Sequence, residues 1–492
     1  MSVSSTWRSR LALLAGPAVF LLILVFFHPA DLSSAGTAVL ASTLWIAIWW
    51  ITEAVSINVT SLLPIILFPL TGALNLGDTT AAYGHQYVFL YLGGFIIAIA
   101  IETWGLHRRI ALIIIRLIGS NVSKIVLGFM VATAFISMWI SNTATAVMMM
   151  PIGMAIISQL KDHPDSQENE NLLFGKALMI SVAYSASIGG MATLIGTPPN
   201  LVLAGVIKET YGLEISFLQW LMVGLPVTIL LLFICWVYLT RVAFPIHHNS
   251  FPGGREEIGR LLRSLGSISY EEKIVLAVFI CTALLWIFRS FLTPFIPALD
   301  DTIIAIVGGF VLFLIPSAKP GEKIIHWEQA VKLPWGIILL FGGGMALAEA
   351  FKTSGLAAWL GSKMVLLEGL PILVVVLLIV TAINFLTEVT SNLATTAMIL
   401  PILAPMAQTI DVHPYLLLVS ATLAASCAFM LPVATPPNAV VFGSGYLRIK
   451  DMVKTGVWMN LTSIIILTAI VYFLLPVLWS LIPDQFPDVL KK

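Results

Sequence analysis

Runs of about twenty predominantly apolar residues follow one another along the whole chain, separated by short polar links. That length spans the roughly 30 Å of hydrocarbon in a bilayer at about 1.5 Å per helical residue, and no link is long enough to build a soluble domain. With 59% of its 492 residues hydrophobic and only 10% charged, the chain carries more apolar surface than a soluble core could hide. In lipid every backbone N–H and C=O must be satisfied within the protein, and helices do this segment by segment, so the expected fold class is an all-α polytopic membrane protein with the bilayer as its solvent. A formal net charge of zero without a single-sign tract argues against a nucleic-acid partner. Cys235, Cys281 and Cys427 all sit in apolar runs and read as small core residues. The opening MSVSSTWRSRLALLAGPAVFLLILVFF has a basic start but no small-residue cleavage site, and reads as the first span.

Eleven transmembrane crossings are expected, near 11–27, 37–54, 56–72, 87–106, 174–206, 217–240, 274–290, 301–316, 335–351, 414–446 and 456–481. Two further segments, near 123–160 and 370–409, are interrupted by polar residues at their middle. They are expected as re-entrant helical hairpins that enter and leave on one side. With a cytoplasmic N-terminus this arrangement puts nineteen of the 25 Lys and Arg residues on one side and six on the other, the bias expected of cytoplasmic loops in a plasma membrane.

The hairpins are related. SNTATAVMMMPI (141–152) returns as SNLATTAMILPI (391–402), and FLYLGGFIIAIAIETWGL (89–106) aligns with LLFGGGMALAEAFKTSGL (339–356), both at an offset of 250. GTPPN (196–200) and ATPPN (434–438) follow at an offset of 238. The difference is accounted for by the polar insert KDHPDSQENENLLFG (161–175), expected as a surface loop. Five crossings lie between the hairpins, an odd number, so the hairpins open to opposite sides and the repeats are inverted. Inverted repeats with matched helix breaks mark secondary transporters, whose substrate and ions meet near the bilayer midplane; a channel with paired hairpins is the alternative from another class.

Irregular backbone at that depth is tolerated only where it is buried in protein or lines a cavity. The double proline of each TPPN forbids a continuous helix, freeing carbonyls upstream and presenting N–H groups downstream. Freed carbonyls suit a hard monovalent cation, and half-helix N-termini suit an anion. Ser141, Thr143, Ser391, Thr395, Asn142 and Asn392 add hydroxyls and amides at the hairpin tips. No Lys or Arg lies in any of the four motif segments, so an anion there needs co-bound cations for charge balance. Of the embedded carboxylates Glu53, Glu102, Glu349 and Glu388, only Glu388 lies within a turn of an SN pair, where a functional and a supporting role are both open. No His/Cys/carboxylate spacing resembles a metal site and no GxxxxGK[ST] is present, so the chain reads as no enzyme, and its transport as driven by a gradient.

The paired SNT and SNxAT motifs, the paired TPPN motifs and WWITEAVSINVTSLLPI (49–65) resemble, over nearly the whole chain, the divalent anion:sodium symporter family, which includes the sodium-dicarboxylate cotransporters and INDY proteins. The resemblance implies a homodimer in which each protomer has a scaffold and a mobile transport domain moving as an elevator. Its expected division is 1–120 and 216–352 as scaffold and connecting helices, 121–215 and 353–447 as transport-domain hairpins with their broken helices, and 448–492 as a C-terminal scaffold helix. It implies one sodium site at Ser137, Ser141, Asn142 and the backbone near Gly196, and a second at Thr387, Thr390, Asn392 and the backbone near Ala434. The internal repeat pairs Ser137 with Thr387 and Gly196 with Ala434. Substrate carboxylates would meet Ser141, Asn142, Thr143, Thr197, Ser391, Asn392 and Thr435. Where several bacterial members have Thr, this chain has Leu393, which leaves the anion open within the class. The expected function is sodium-coupled symport of small di- or tricarboxylates of the succinate, malate and fumarate kind; a sodium-independent dicarboxylate exchanger and a carrier of sulfate or another inorganic dianion stand as alternatives.

Overall fold

A computed structural model of the chain describes residues 3–119, 121–161, 168–245, 254–363 and 369–490. Helices dominate, and the one isolated bridge among the described residues joins Pro316 to Lys323. Seven helices are long and apolar enough to cross a membrane, and each coincides with an expected span. Among the shorter apolar helices, Arg10–Phe26, Ile57–Thr71, Asp301–Leu314 and Pro414–Ala425 fall on the other four, while Val122–Ser137 and Ile372–Leu386 are the first arms of the expected hairpins.

The chain begins with α1 (Val3–Phe26) packed on α2 (Ser34–Thr52), whose first turn Ser33 caps by accepting from the Gly36 N–H at 2.9 Å. The expected span 56–72 is instead two pieces, α3 (Ile57–Thr60) and α4 (Leu63–Thr71), followed by the short α5 (Leu76–Ala81). Then comes the first repeat: α6 (Gln86–Thr103), α7 (Leu106–Ile118), the hairpin α8 (Val122–Ser137) and α9 (Asn142–Lys161), the broken pair α10 (Glu168–Gly190) and α11 (Pro198–Tyr211), and α12 (Phe217–Tyr238). A connector of α13 (Gly254–Ser264), α14 (Tyr270–Leu292), α15 (Asp301–Leu314) and α16 (Trp327–Ala330) leads to the second. There the same order returns: α17 (Trp335–Thr353), α18 (Leu356–Lys363), the hairpin α19 (Ile372–Leu386) and α20 (Asn392–Thr409), the broken pair α21 (Pro414–Ala425) and α22 (Pro436–Phe442), and α23 (Ile449–Ala469), which runs through a π turn into α24 (Leu475–Trp479).

Several expectations are corrected. Helices α7, α13 and α18 lie outside the expected spans: α7 and α13 are amphipathic rather than uniformly apolar, and α18 has only eight residues. Leu106, Ala111, Leu112 and Ile115 of α7 are buried while Arg108 and Arg116 face outward, the pattern of a helix lying along a surface. Arg109 anchors it by donating to Glu272 of α14 from Nε at 2.8 Å and to the Gly266 carbonyl at 3.0 Å. Within the polar insert, 162–167 lie outside the described residues, and from Glu168 onward the segment expected as loop is already the first turns of α10. Cys235 and Cys427 are buried as expected, whereas Cys281 is exposed on α14.

Helices α12 and α23, expected with the scaffold, pack on hairpin elements: α12 on α8 and α10, and α23 on α19 and α21. The contact is close in both halves. A Cβ at Gly224 would lie 2.6 Å from the Met191 carbonyl oxygen, and one at Gly456 would lie 2.2 Å from that of Phe429, so only glycine lets each helix press against the neighbouring break.

Candidate functional site

Four helix N-termini converge on one cavity of about 790 Å³. Helices α9 and α20 start at Asn142 and Asn392, and α11 and α22 start at the double prolines after Thr197 and Thr435. Both threonines are extended, with φ of −142° and −140°, because the residue before proline is excluded from the helical region. The walls accordingly include Ser141, Asn142, Thr143, Thr197, Ser391, Asn392, Leu393 and Thr435, together with Gly196, Ala434 and Thr390. First-turn N–H groups lack intrahelical partners, and the helix dipole adds partial positive charge there, so this end of the cavity suits an anion.

Behind each tip lies a nest of oxygens. In the first, the buried Ser137 hydroxyl lies 2.6 Å from the Asn142 Oδ1 and 2.7 Å from the Ala186 carbonyl oxygen, and its one proton serves one of them at a time. The tip amide presses on Gly190, where a Cβ would sit 2.6 Å from Asn142 Oδ1 and 3.1 Å from the Gly196 carbonyl oxygen; one on Gly196 would sit 2.5 Å from the Gly190 carbonyl oxygen and 3.0 Å from that of Met138. Any side chain there would fill the cradle. In the second nest the Thr387 hydroxyl lies 2.7 Å from the Asn392 Oδ1 and 3.0 Å from the Ala425 carbonyl oxygen, again with one proton between them. Two oxygen-lined nests with the same hydroxyl-to-amide bond fit a hard monovalent cation such as sodium, which takes oxygen ligands. Thr390 is less free than its position suggests: its hydroxyl donates to the Leu386 carbonyl at 2.8 Å and lies 2.6 Å from the Thr395 hydroxyl, leaving its backbone as the available ligand.

The structure brings ten of the twelve singled-out residues to the cavity wall and sets Ser137 and Thr387 one layer behind. Glu388 resolves to the supporting role. Its carboxylate accepts from the Phe429 and Met430 N–H groups at 2.7 and 2.9 Å, from Leu431 N–H at 3.0 Å and from Asn460 Nδ2 at 2.7 Å, clasping the turn before ATPPN without reaching the cavity wall. The equivalent residue in the first half is Met138, whose carbonyl accepts from Thr193 Oγ1 at 2.5 Å, so the two breaks are held by different chemistry.

Sequence reasoning passed over the last residue of each TPPN. Asn200 donates from Nδ2 to the Thr193 carbonyl at 2.8 Å, and Asn438 to those of Ala428 and Leu431 at 3.2 and 3.0 Å, each stapling its own break. The shared offset of 238 was the available signal. The remaining wall was also missed: Thr52 at the end of α2, Glu53 just after it, Ile57 and Asn58 of α3, Tyr91 of α6, and Pro334, Ile337 and Leu340 around α17. No repeat relates this surface to the tips, and only folding brings it opposite them.

Comparison with known proteins agrees with this geometry. The chain matches the sodium:sulfate symporter transmembrane region over residues 5–481. It is 50% identical over 472 residues to the sodium-dependent dicarboxylate transporter SdcS of Staphylococcus saprophyticus, covering 94% of this chain and 91% of that relative. Against SdcS of Staphylococcus aureus strain USA300 it is 50% identical over 483 residues, or 96% and 93% of the two chains. Among solved structures, the YdaH transporter of Alcanivorax borkumensis gives a TM-score of 0.58 at 16% identity, covering 80% of this chain and 86% of that one, a likeness of fold alone. With a family match that runs through both hairpins and both breaks, the chain belongs to the sodium:sulfate symporter transmembrane family.

Proposed function

We propose that this protein is a sodium-coupled symporter of small dicarboxylates of the succinate, malate and fumarate class. The observation that carries the reading is the absence of Lys, Arg and His from the described cavity wall, although four helix N-termini point into it. A dianion held by helix dipoles alone would remain largely uncompensated in charge. Two cations in the two nests would neutralise it, which makes ion and anion binding mutually dependent. The 50% identical relatives carry the name of sodium-dependent dicarboxylate transporters, and that supports the assignment.

In this reading Ser137, Ser141, Asn142 and the Gly196 backbone hold one sodium ion, and Thr387, Asn392 and the Thr390 and Ala434 backbones hold the other. Ser141, Asn142, Thr143, Thr197, Ser391, Asn392 and Thr435 meet the anion. The moving body comprises both hairpins and broken helices, together with α12 and α23 through their glycine contacts; the remaining helices form the framework and the homodimer contact. The N-terminus is cytoplasmic, in the plasma membrane.

The test is uptake of labelled succinate into proteoliposomes with and without an inward sodium gradient. Accumulation above equilibrium only with the gradient supports the reading. Equal uptake without sodium, or counterflow against internal succinate alone, favours an exchanger. Sodium-driven uptake of sulfate that succinate fails to inhibit assigns the inorganic dianion instead.

A further inference from the structure

Among the described residues lining the cavity, Glu53 is the one charged side chain, and its sign is that of the cargo. It is the C-cap of α2, exposed, with left-handed backbone angles of φ 48° and ψ 31°. A residue with a Cβ is disfavoured there, and a negative charge is disfavoured at the C-terminal end of a helix dipole. Glu53 makes no hydrogen bond or ion pair with any described residue, so no local partner offsets either penalty. Strained, unpaired residues facing a cavity point to a role in what the cavity does. The wall that carries it is packed on α17. Asn58 lies so close to Gly336 that a Cβ there would come within 2.2 Å of its amide, and α3 packs on α17.

We propose that Glu53 is a charge-selectivity residue of the cavity wall: its carboxylate repels a dianion, attracts sodium, and disfavours anions with a third carboxylate. This rests on the symporter reading and assigns to one residue the limit on cargo charge. In an open cavity, a carboxylate about 10 Å from a dianion at an effective dielectric of about 40–80 changes its affinity by roughly four- to seventeenfold. A trianion feels half as much again in free energy, and each monovalent cation half as much with the opposite sign.

The experiment compares wild type, Glu53→Gln and Glu53→Asp in proteoliposomes, measuring half-saturating sodium, half-saturating succinate at saturating sodium, and inhibition by citrate. Glu53→Gln is expected to lower half-saturating succinate about four- to seventeenfold, raise half-saturating sodium about two- to fourfold, and strengthen citrate inhibition more than it strengthens succinate binding. Glu53→Asp keeps the charge and should stay within about twofold of wild type on all three. Opposite movement of the ion and anion constants is the decisive sign, because a merely structural role would weaken both. Constants that move together or stay still in Glu53→Gln, or a Glu53→Asp variant that behaves like Glu53→Gln, overturn the proposal. Wild type that fails to couple succinate to sodium overturns the symporter reading and this inference with it; coupled wild type with an unchanged Glu53→Gln overturns this inference alone.

Discussion

Trp139 and Val389 hold equivalent places on the two hairpin tips, yet Trp139 packs edge-on against Phe279 with ring centroids 4.9 Å apart, while Val389 is 62% exposed at the cavity. The next matched pair repeats the difference: Ile195 is buried beside Gly94, and Val433 is 82% exposed. One sequence plan is thus seated on α6 and α14 in the first half and left open in the second. The two like halves stand in unlike states of engagement.

If the first tip must leave α6 during transport, tying it there should stop the cycle. A Cβ on Gly94 would lie 3.9 Å from the Ile195 Cβ, inside the separation a disulfide spans. The double variant Gly94→Cys with Ile195→Cys, in a Cys281→Ser background, is expected to lose succinate uptake on oxidation and to regain it on reduction, with both single variants insensitive. Full uptake by the quantitatively cross-linked protein would mean that this contact does not move.

The hydroxyls behind the tip amides should matter to the ion first. Ser137→Ala and Thr387→Ala each remove an oxygen from a nest and a bond to the tip amide, worth about 0.5–1.5 kcal/mol. Each is expected to raise half-saturating sodium by up to about tenfold, with a smaller change in half-saturating succinate at saturating sodium. Thr387→Ser restores the hydroxyl and should stay near wild type. Sodium activation curves that do not shift would place the ions elsewhere.

Leu393 and its counterpart Thr143 both line the cavity, so a cargo reaching both would meet a hydroxyl on one side and an apolar wall on the other. Leu393→Thr is expected to change the ranking of succinate, malate and citrate as competitors, by up to about tenfold for the favoured anion, with sodium dependence retained. Leu393→Val trims volume without adding a hydroxyl and separates size from polarity. An identical ranking in all three proteins would show that position 393 does not contact the anion.

Glu388 should govern stability more than affinity. Glu388→Ala takes the acceptor from the half-buried Met430 and Leu431 N–H groups, at about 1–3 kcal/mol each, leaves the Phe429 N–H with Asn460 Oδ1 alone at 3.2 Å, and is expected to lower the melting temperature in detergent. Glu388→Gln keeps one accepting oxygen but sets an NH₂ against an N–H, and should fall in between. A normal melt for Glu388→Ala would show that the turn before ATPPN does not depend on the clasp.

Much of this plan was legible because breaks and repeats are local facts. SN tips and TPPN prolines enforce irregular backbone wherever they occur, and a constant offset survives without knowledge of packing. Helices such as α7 and α13 escaped because hydropathy over a span-length window averages away a one-sided apolar face. The packing of α12 and α23 depends on Gly224 and Gly456 meeting carbonyls of Met191 and Phe429, contacts that no spacing encodes. Glu388 was ambiguous for the same reason, since its partners are 41 to 72 residues away.

Coupling is reciprocal, so the anion must be able to drive the ion. Proteoliposomes with equal sodium on both sides and an inward succinate gradient give the most direct measurement, by following tracer sodium while clamping the membrane potential. The expected result is a transient net entry of sodium that tracks succinate entry and disappears in the Asn142→Ala and Asn392→Ala variants. Succinate entering wild-type vesicles with no net sodium movement would contradict symport.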